Sequence, residues 1–298
     1  MSSATPYLGE ALSILTAIIW AFAVILFKKS GETVHPLALN SFKNLLAMVL
    51  LVPTIWLTGE TLMLQTSGRV YLILFLSGAI GIGIGDTLFF KSLNSLGAGL
   101  TAIVVCMYSP FVISFSYVWL NERLVLLQLL GAFFIITAIL IATIQRGGKE
   151  ITPKRIVYGV VYGVLASAAM AGGVVIMKPL LTEYSVIWVA QIRLVGGMLV
   201  LALVLLLHPR RRVIADSLIQ TRNWQYTVGG SFCGAYLAMI IWIAGIKYTQ
   251  ASIASALNQT STIFVFIFAA LMLKEPMTLR KTIGIGLAFV GVFLVSFF

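Results

Sequence analysis

The stretch FVISFSYVWLNE (Phe111–Glu122) returns 153 residues further along the chain as FVFIFAALMLKE (Phe264–Glu275). Phe, Val, Phe, Leu and Glu coincide in the two copies, and each copy is an apolar run that ends in an acidic residue. A shift of 150 aligns further residues, with cations among them. Self-similarity at a fixed spacing is the signature of a duplicated unit. We therefore expect two structural repeats, at residues 1–147 and 148–298.

The composition around the two copies is that of a membrane protein. Hydrophobic residues make up 60% of the 298 residues and charged residues 10%, whereas soluble domains have roughly 45–50% and 25%. The mean hydropathy is +1.05, so there is too little polar surface to cover a water-soluble globule of this size. These values exclude a cytosolic enzyme, a disordered chain and a disulfide scaffold. The first apolar run is too long for the core of a cleavable signal, and we expect it to remain as the first spanning helix.

Ten apolar stretches are long enough to cross a bilayer, which takes about 20 residues of helix. Because backbone groups in lipid must be paired within their own segment, such runs are predicted to be helices. The predicted helices 1 to 10 cover residues 8–27, 36–57, 70–90, 98–120, 125–144, 156–177, 186–207, 226–246, 251–273 and 281–298. With five helices in each repeat, the second repeat inserts upside down relative to the first. The predicted fold is an all-α integral membrane protein of two inverted five-helix repeats.

The net charge of +11 arises from 20 basic and 9 acidic residues. Most basic residues outside the helices lie at one membrane face, face B, opposite the face that holds both termini, face A. Lys149 and Arg210–Arg212 are examples. Basic residues placed between apolar runs meet lipid phosphates, so we expect membrane lipids as partners and no nucleic acid. The positive-inside rule puts face B in the cytoplasm and both termini outside.

Several short motifs share an order and spacing along the chain. They are IIWAFAVILFKK around Trp20, NSFKN at Asn40–Asn44, GIGIGDTLFFKSL at Gly81–Leu93, and LNER at Leu120–Arg123 with its echo LKEP at Leu273–Pro276. Together they resemble the drug/metabolite transporter superfamily, specifically the ten-helix proteins made of two EamA domains, over nearly the whole chain. The resemblance implies a small-solute transporter with a central cavity lined by both halves. Such proteins are commonly drawn with both termini inside, against the charge rule. We expect the plasma membrane as the location and leave a homodimer open.

Lys43, Asp86 and Arg193 lie well inside the predicted helices, and Glu10 lies nearer a helix end. A charge costs about 2.5–3.5 kcal/mol at a helix centre. Lys43 and Asp86 are expected at similar depth near face B, where they either pair or leave Asp86 free to carry a proton. Arg193 enters from face A, with Glu10 as its candidate acidic partner. Without that partner, Arg193 would suit a carboxylate or phosphate of the solute. Asp86, with Glu10 behind it, is the candidate for proton coupling.

Polar and aromatic side chains near mid-membrane complete the predicted solute-binding set around Arg193 and Lys43. For each of them the alternative is a role in helix packing. The set comprises Asn40, Asn44, Trp20, Tyr108, Tyr236, Asn258 and Gln259.

Glycine, proline and acidic residues at other positions predict local features of the helices. The alternate glycines Gly81, Gly83 and Gly85 are expected to allow close packing or bending of helix 3. Pro110 is expected to kink helix 4. Glu275, like its equivalent Glu122, is expected to cap the helix that follows it.

No constellation for catalysis is evident in the sequence. The two histidines, His35 and His208, sit at helix ends, and no H-E-x-x-H or P-loop motif occurs. Cys106 and Cys233 lie in separate apolar runs. We therefore expect no metal, no cofactor and no enzymatic activity. A channel and a membrane-embedded enzyme remain the alternatives to a transporter.

Overall fold

The computed structural model describes residues 7–120, 126–143, 152–249, 254 and 257–297, and these residues form helices and turns without a strand. Glu122 and the loop after the fifth helix lie outside them. In chain order the long helices are α1 (Leu8–Ser30), α2 (Pro36–Leu57), α3 (Gly68–Leu96), α4 (Ala98–Trp119), α5 (Leu126–Thr143), α6 (Pro153–Thr182), α7 (Val186–Leu207), α8 (Trp224–Tyr248), α9 (Leu257–Met272) and α10 (Leu279–Phe297). Within the described residues, α1–α4 and α6–α8 are the seven helices long and apolar enough to cross a membrane, and α5 and α9 contain shorter apolar segments.

The helix ends follow capping signals that the sequence carries. Pro36 occupies the first turn of α2, and the ring nitrogen Nδ1 of His35 accepts a hydrogen bond from the backbone N–H of Leu37 at 3.2 Å. Ser185 caps α7 in the same manner, accepting from the N–H of Trp188 at 3.1 Å. The connection between α7 and α8 contains a short helix, Arg211–Ile219, that apolar length alone does not predict.

Two of the long helices contain a π-helical segment, at Ala79–Gly85 in α3 and at Ser231–Leu237 in α8. The two segments start 152 residues apart, so they occupy equivalent positions in the two halves. Each π segment widens the helix by one residue per turn and redirects the side chains around it. The bend expected at the alternate glycines is thus a π segment.

Close helix packing at α3 depends on glycines other than the three alternate glycines that the sequence singled out. A Cβ atom on Gly78 would lie 1.8 Å from the carbonyl oxygen of Arg193 in α7. A Cβ atom on Gly173 of α6 would lie 2.7 Å from the carbonyl oxygen of Ser77. Because no real Cβ occupies such positions, only glycine lets α3 approach α6 and α7 to this distance.

The long helices pack mainly on partners from the other half of the chain. The principal pairs are α3 with α6 and α7, α1 with α8 and α9, α5 with α10, α4 with α6 and α9, and α2 with α7 and α8. Exchanging the first five helices for the last five leaves this set of pairs unchanged. The interior of the bundle therefore lies between the two halves.

Irregular turns interrupt both members of the α4–α9 pair. In α4, a 3-10 turn at Val105–Met107 comes just before Pro110, because proline lacks the N–H that would continue the α-helical bonding. In α9, the helix is broken by a turn at Thr260. These two irregularities lie at matching places in the two halves.

The role of Glu275 in the structure differs from the predicted one. Its carboxylate accepts hydrogen bonds from the backbone N–H groups of Ala98 at 2.8 Å and Gly99 at 3.1 Å. It therefore caps α4, in the other half of the chain, and the prediction that it caps the following helix is wrong. The packing of α9 on α4 brings the end of one helix to the beginning of the other, which no local sequence pattern encodes.

Candidate functional site

A cavity lies between the two halves and encloses about 1040 Å³ of empty space, including solvent at its opening. Helices α1–α4 and α6–α9 all contribute to its wall. Lys43, Asp86 and Arg193 are the charged residues that line it. These three residues come from α2, α3 and α7, so the cavity brings together charges separated by up to 150 positions in the sequence.

Lys43 and Asp86 form an ion pair on the cavity wall. The Lys43 ammonium donates to the Asp86 carboxylate at 2.5 Å and to the amide oxygen of Asn44 at 3.0 Å. Asn44 in turn donates to the side-chain oxygen of Asn40 at 2.7 Å, and Asn40 donates to the hydroxyl of Thr87 at 2.9 Å. This continuous network fixes the pair between α2 and α3. Of the two arrangements left open by the sequence, the structure contains the paired one.

Arg193 has a different environment from Lys43. Its Nε donates to the hydroxyl of Ser77 at 2.9 Å, and Ser77 donates to the carbonyl oxygen of Gly173 at 2.6 Å. The side chain is buried, yet it makes no ion pair with any residue that the structure describes. Glu10, its predicted partner, instead accepts a hydrogen bond from Thr249 at 2.9 Å. The guanidinium of Arg193 therefore forms no salt bridge in the described part of the chain, although the Asp86 carboxylate on the same cavity wall acts on it electrostatically.

Five further predicted residues line the cavity: Trp20, Asn44, Tyr108, Asn258 and Gln259. Trp20 packs against Phe89, with ring centroids 5.8 Å apart. Gln259 donates to the carbonyl oxygen of Val105 at 3.3 Å, close to the 3-10 turn of α4. The amide oxygen of Asn258 is buried and accepts no hydrogen bond from the described residues. Asn258 can therefore accept a hydrogen bond from a solute.

Three predicted residues lie outside the cavity wall. Asn40 is fully buried behind it and orients Asn44. Tyr236, in the π segment of α8, shares a 2.6 Å hydrogen bond with the hydroxyl of Thr54. Glu10 lies at the beginning of α1, where Thr249 binds it. Each of these side chains has a structural partner in place of the expected access to the cavity.

Trp242 belongs to the cavity wall but was not among the predicted binding residues. Its indole N–H is buried and donates to no described residue. The sequence does carry a signal for it, because a tryptophan in the middle of a spanning segment needs a partner for its N–H. The lining also includes the apolar side chains of Phe89, Met170 and Met239. Among the described residues, no group of three or more His, Cys, Asp or Glu side chains could hold a metal ion.

Comparison with known proteins agrees with this architecture. A protein of known crystal structure superposes with a TM-score of 0.71 at 14% identity, covering 97% of this chain and 96% of its own. An uncharacterized transporter of Archaeoglobus fulgidus is 27% identical over 95% of this chain and 96% of its own length. A second, from Methanothermobacter thermautotrophicus, is 24% identical over 95% of this chain and 85% of its own.

A family model matches the chain twice, once in each half. The match covers residues 7–144 and again 157–297, nearly the whole described sequence. With its all-helical fold, its apolar spans and this twofold match, the chain is a multi-pass membrane transporter and belongs to the EamA-like transporter family.

Proposed function

We propose that this protein is a secondary transporter that moves a small organic solute with an anionic group across the plasma membrane by alternating access. The observation that carries the proposal is the cavity between the halves, in which Arg193 lies buried and makes no ion pair with the residues that the structure describes. A buried guanidinium is a favourable binding partner for a carboxylate or phosphate. The protein requires no catalytic chemistry for this function.

The proposal includes ten transmembrane helices arranged as two inverted repeats, 1–147 and 148–298. It is supported by the helix pairs, which are unchanged when the halves are exchanged. It is supported also by the π segments of α3 and α8 at equivalent positions. Such a pseudo-symmetric pair of halves can rock about a central site, so that the site opens to one face at a time.

The two intramembrane cations would act from opposite faces. Lys43 lies two turns from the face-B end of α2, and Arg193 lies two turns from the face-A end of α7. A solute bound between the halves would interact with Arg193 directly and would be close to the Lys43–Asp86 pair. If a proton drives transport, Asp86 is the coupling candidate because it lines the cavity, whereas Glu10 does not.

The proposal is tested with purified protein in liposomes. Counterflow of a labelled solute identifies a carrier, whereas electrical conductance above carrier rates would identify a channel and refute the proposal. Loss of one charged hydrogen bond weakens binding by about ten- to hundred-fold. We expect that loss for Arg193→Ala, and a smaller one for Arg193→Lys, which keeps the charge without the planar guanidinium. Arg69→Ala, at an exposed cation outside the cavity, is the matched control and should leave affinity unchanged.

A further inference from the structure

The charges that line the cavity do not cancel. Lys43 and Asp86 neutralise each other through their 2.5 Å contact. Arg193 is 4% exposed and makes no ion pair with the residues that the structure describes. Two cations and one carboxylate give the lining formed by the described residues a net charge of +1. Because a buried charge is unfavourable until it is compensated, the cavity favours a ligand with one negative charge.

The same set of charged residues disfavours a solute that carries a positively charged group. Asp86 is the carboxylate of the described lining, and Lys43 already binds it. The ammonium group of an amino acid would therefore have to share that carboxylate with Lys43 or bind neutral acceptors such as the amide oxygen of Asn258. A zwitterion would also leave the net charge of the site at +1. A dianion would change the net charge of the site to −1.

The other residues of the cavity wall indicate whether the body of the solute is polar or apolar. Trp20, Phe89, Met170, Met239 and Trp242 present aromatic and thioether surface, which favours an apolar body. The indole N–H of Trp242 and the amide oxygen of Asn258 are buried without partners in the described part of the protein. They supply one hydrogen-bond donor and one acceptor, which suits a hydroxyl or oxo group on an otherwise apolar molecule.

Resting on the proposed function, we infer that the solute is an apolar organic monoanion, a monocarboxylate with an aliphatic or aromatic body and a hydroxyl or oxo substituent. Arg193 binds its carboxylate, and the aromatic wall holds its body. The site discriminates against the zwitterion, the cation and the dianion of the same shape. The proposed function allows any solute with an anionic group, whereas this inference restricts the solute to molecules whose net charge is −1.

The test compares ligands that share one body and differ in charge. The aromatic series is 3-phenylpropionate, its 2-hydroxy derivative, phenylalanine, 2-phenylethylamine and phenylsuccinate. The aliphatic series is 2-hydroxy-4-methylpentanoate, leucine and 3-methylbutylamine. Binding to the purified wild-type protein is measured by calorimetry and by thermal stabilisation, which rises with ligand affinity. We expect the monoanions of at least one series to bind about ten- to hundred-fold more tightly than the matching zwitterion, because the zwitterion must also desolvate an ammonium group that has no carboxylate of its own in the site.

Two variants change the net charge of the lining in opposite directions. Arg193→Gln lowers it to 0, and it should remove the preference for 3-phenylpropionate over its neutral amide. Asp86→Asn raises it to +2, and phenylsuccinate should gain affinity relative to 3-phenylpropionate. Arg69→Gln is the control that removes an exposed cation outside the cavity and should leave every ratio as in the wild type. The wild-type series stands as a test even where a variant does not fold.

The outcomes separate this inference from the proposed function. Counterflow of phenylalanine or leucine, with equal or tighter binding than the monoanion, would overturn the monoanion assignment and leave the transporter intact. Failure of every compound in both series to bind would also overturn it. Counterflow with a mixture of labelled metabolites then tests transport independently. A charge preference that persists unchanged in Arg193→Gln would contradict the role of Arg193.

Discussion

The Lys43–Asp86 pair makes a quantitative prediction about stability. Lys43 is 4% exposed and Asp86 is 15% exposed, with 2.5 Å between the ammonium nitrogen and the carboxylate oxygen. Removing one partner of a buried pair leaves an uncompensated charge and costs about 3–5 kcal/mol. Asp86 borders the cavity and Lys43 keeps its bond to Asn44, so we expect the lower end, about 3 kcal/mol, for Asp86→Asn.

The double variant Lys43→Met/Asp86→Asn removes both charges together. Because no unpaired charge remains, it should be less destabilised than either single variant, with a loss of about 1 kcal/mol or less. The coupling free energy between the two sites is then several kcal/mol, far beyond the few tenths that independent sites show. Removal of the exposed cation in Arg69→Gln, the control, should change stability by less than about 0.5 kcal/mol.

Thermal unfolding in detergent, followed by tryptophan fluorescence at a fixed scan rate, measures these differences. A loss of 3 kcal/mol corresponds to a fall in Tm of about 6–12 °C by the scaling for domains of 150–250 residues. If the Tm of Asp86→Asn equals that of the wild-type protein, the pair does not stabilise the fold as expected. A double variant whose loss equals the sum of the two single losses would also refute the reasoning.

Four further predictions concern coupling, topology, capping and pH. Asp86→Asn should abolish uptake driven by a pH gradient while counterflow exchange persists; an unchanged pH dependence would eliminate the carboxylate from coupling. A single cysteine at Gly148, with both native cysteines replaced by serine, should resist an impermeant thiol reagent in intact cells if face B is cytoplasmic. Glu275→Gln should lower the stability of the protein by about 1 kcal/mol, because the cap of α4 loses its charge. Partial burial lowers the pKa of His35, so the unfolded chain takes up the proton first and stability falls as the pH drops below about 6.5. Protonation also removes the ring acceptor that caps α2, so Tm of His35→Asn should fall less than that of the wild type between about pH 7.5 and 5.5.

The sequence by itself determined the class of protein and the position of its helices. A helix in lipid satisfies its backbone within its own segment, so apolar length alone marks where it lies. Lys43, Asp86 and Arg193 could be recognised as functional candidates for the same reason, since a charge in an apolar run demands an explanation. That Lys43 and Asp86 lie at similar depth followed from the sequence, because α2 begins at the face where α3 ends; that they pair is shown by the structure.

Relations between distant segments required the tertiary structure. Asn40 and Asn44 are one helical turn apart and look equivalent in sequence, yet Asn44 lines the cavity and Asn40 lies behind it. Glu275 was expected to act locally, but it caps α4 in the other half. Tyr236 was expected in the cavity, but its π segment directs it to Thr54.

Arg193 shows most clearly which properties can be predicted from the sequence and which require the tertiary structure. Its charge and depth are readable from α7 alone, and Glu10 was a reasonable partner by membrane face. Whether the two meet depends on how α1 and α7 pack, and α1 packs on α8, where Thr249 binds the Glu10 carboxylate. Composition and periodicity are properties of a single segment, so the sequence can establish them. The net charge of a cavity is a property of eight packed helices, and only the folded chain decides which side chains share it.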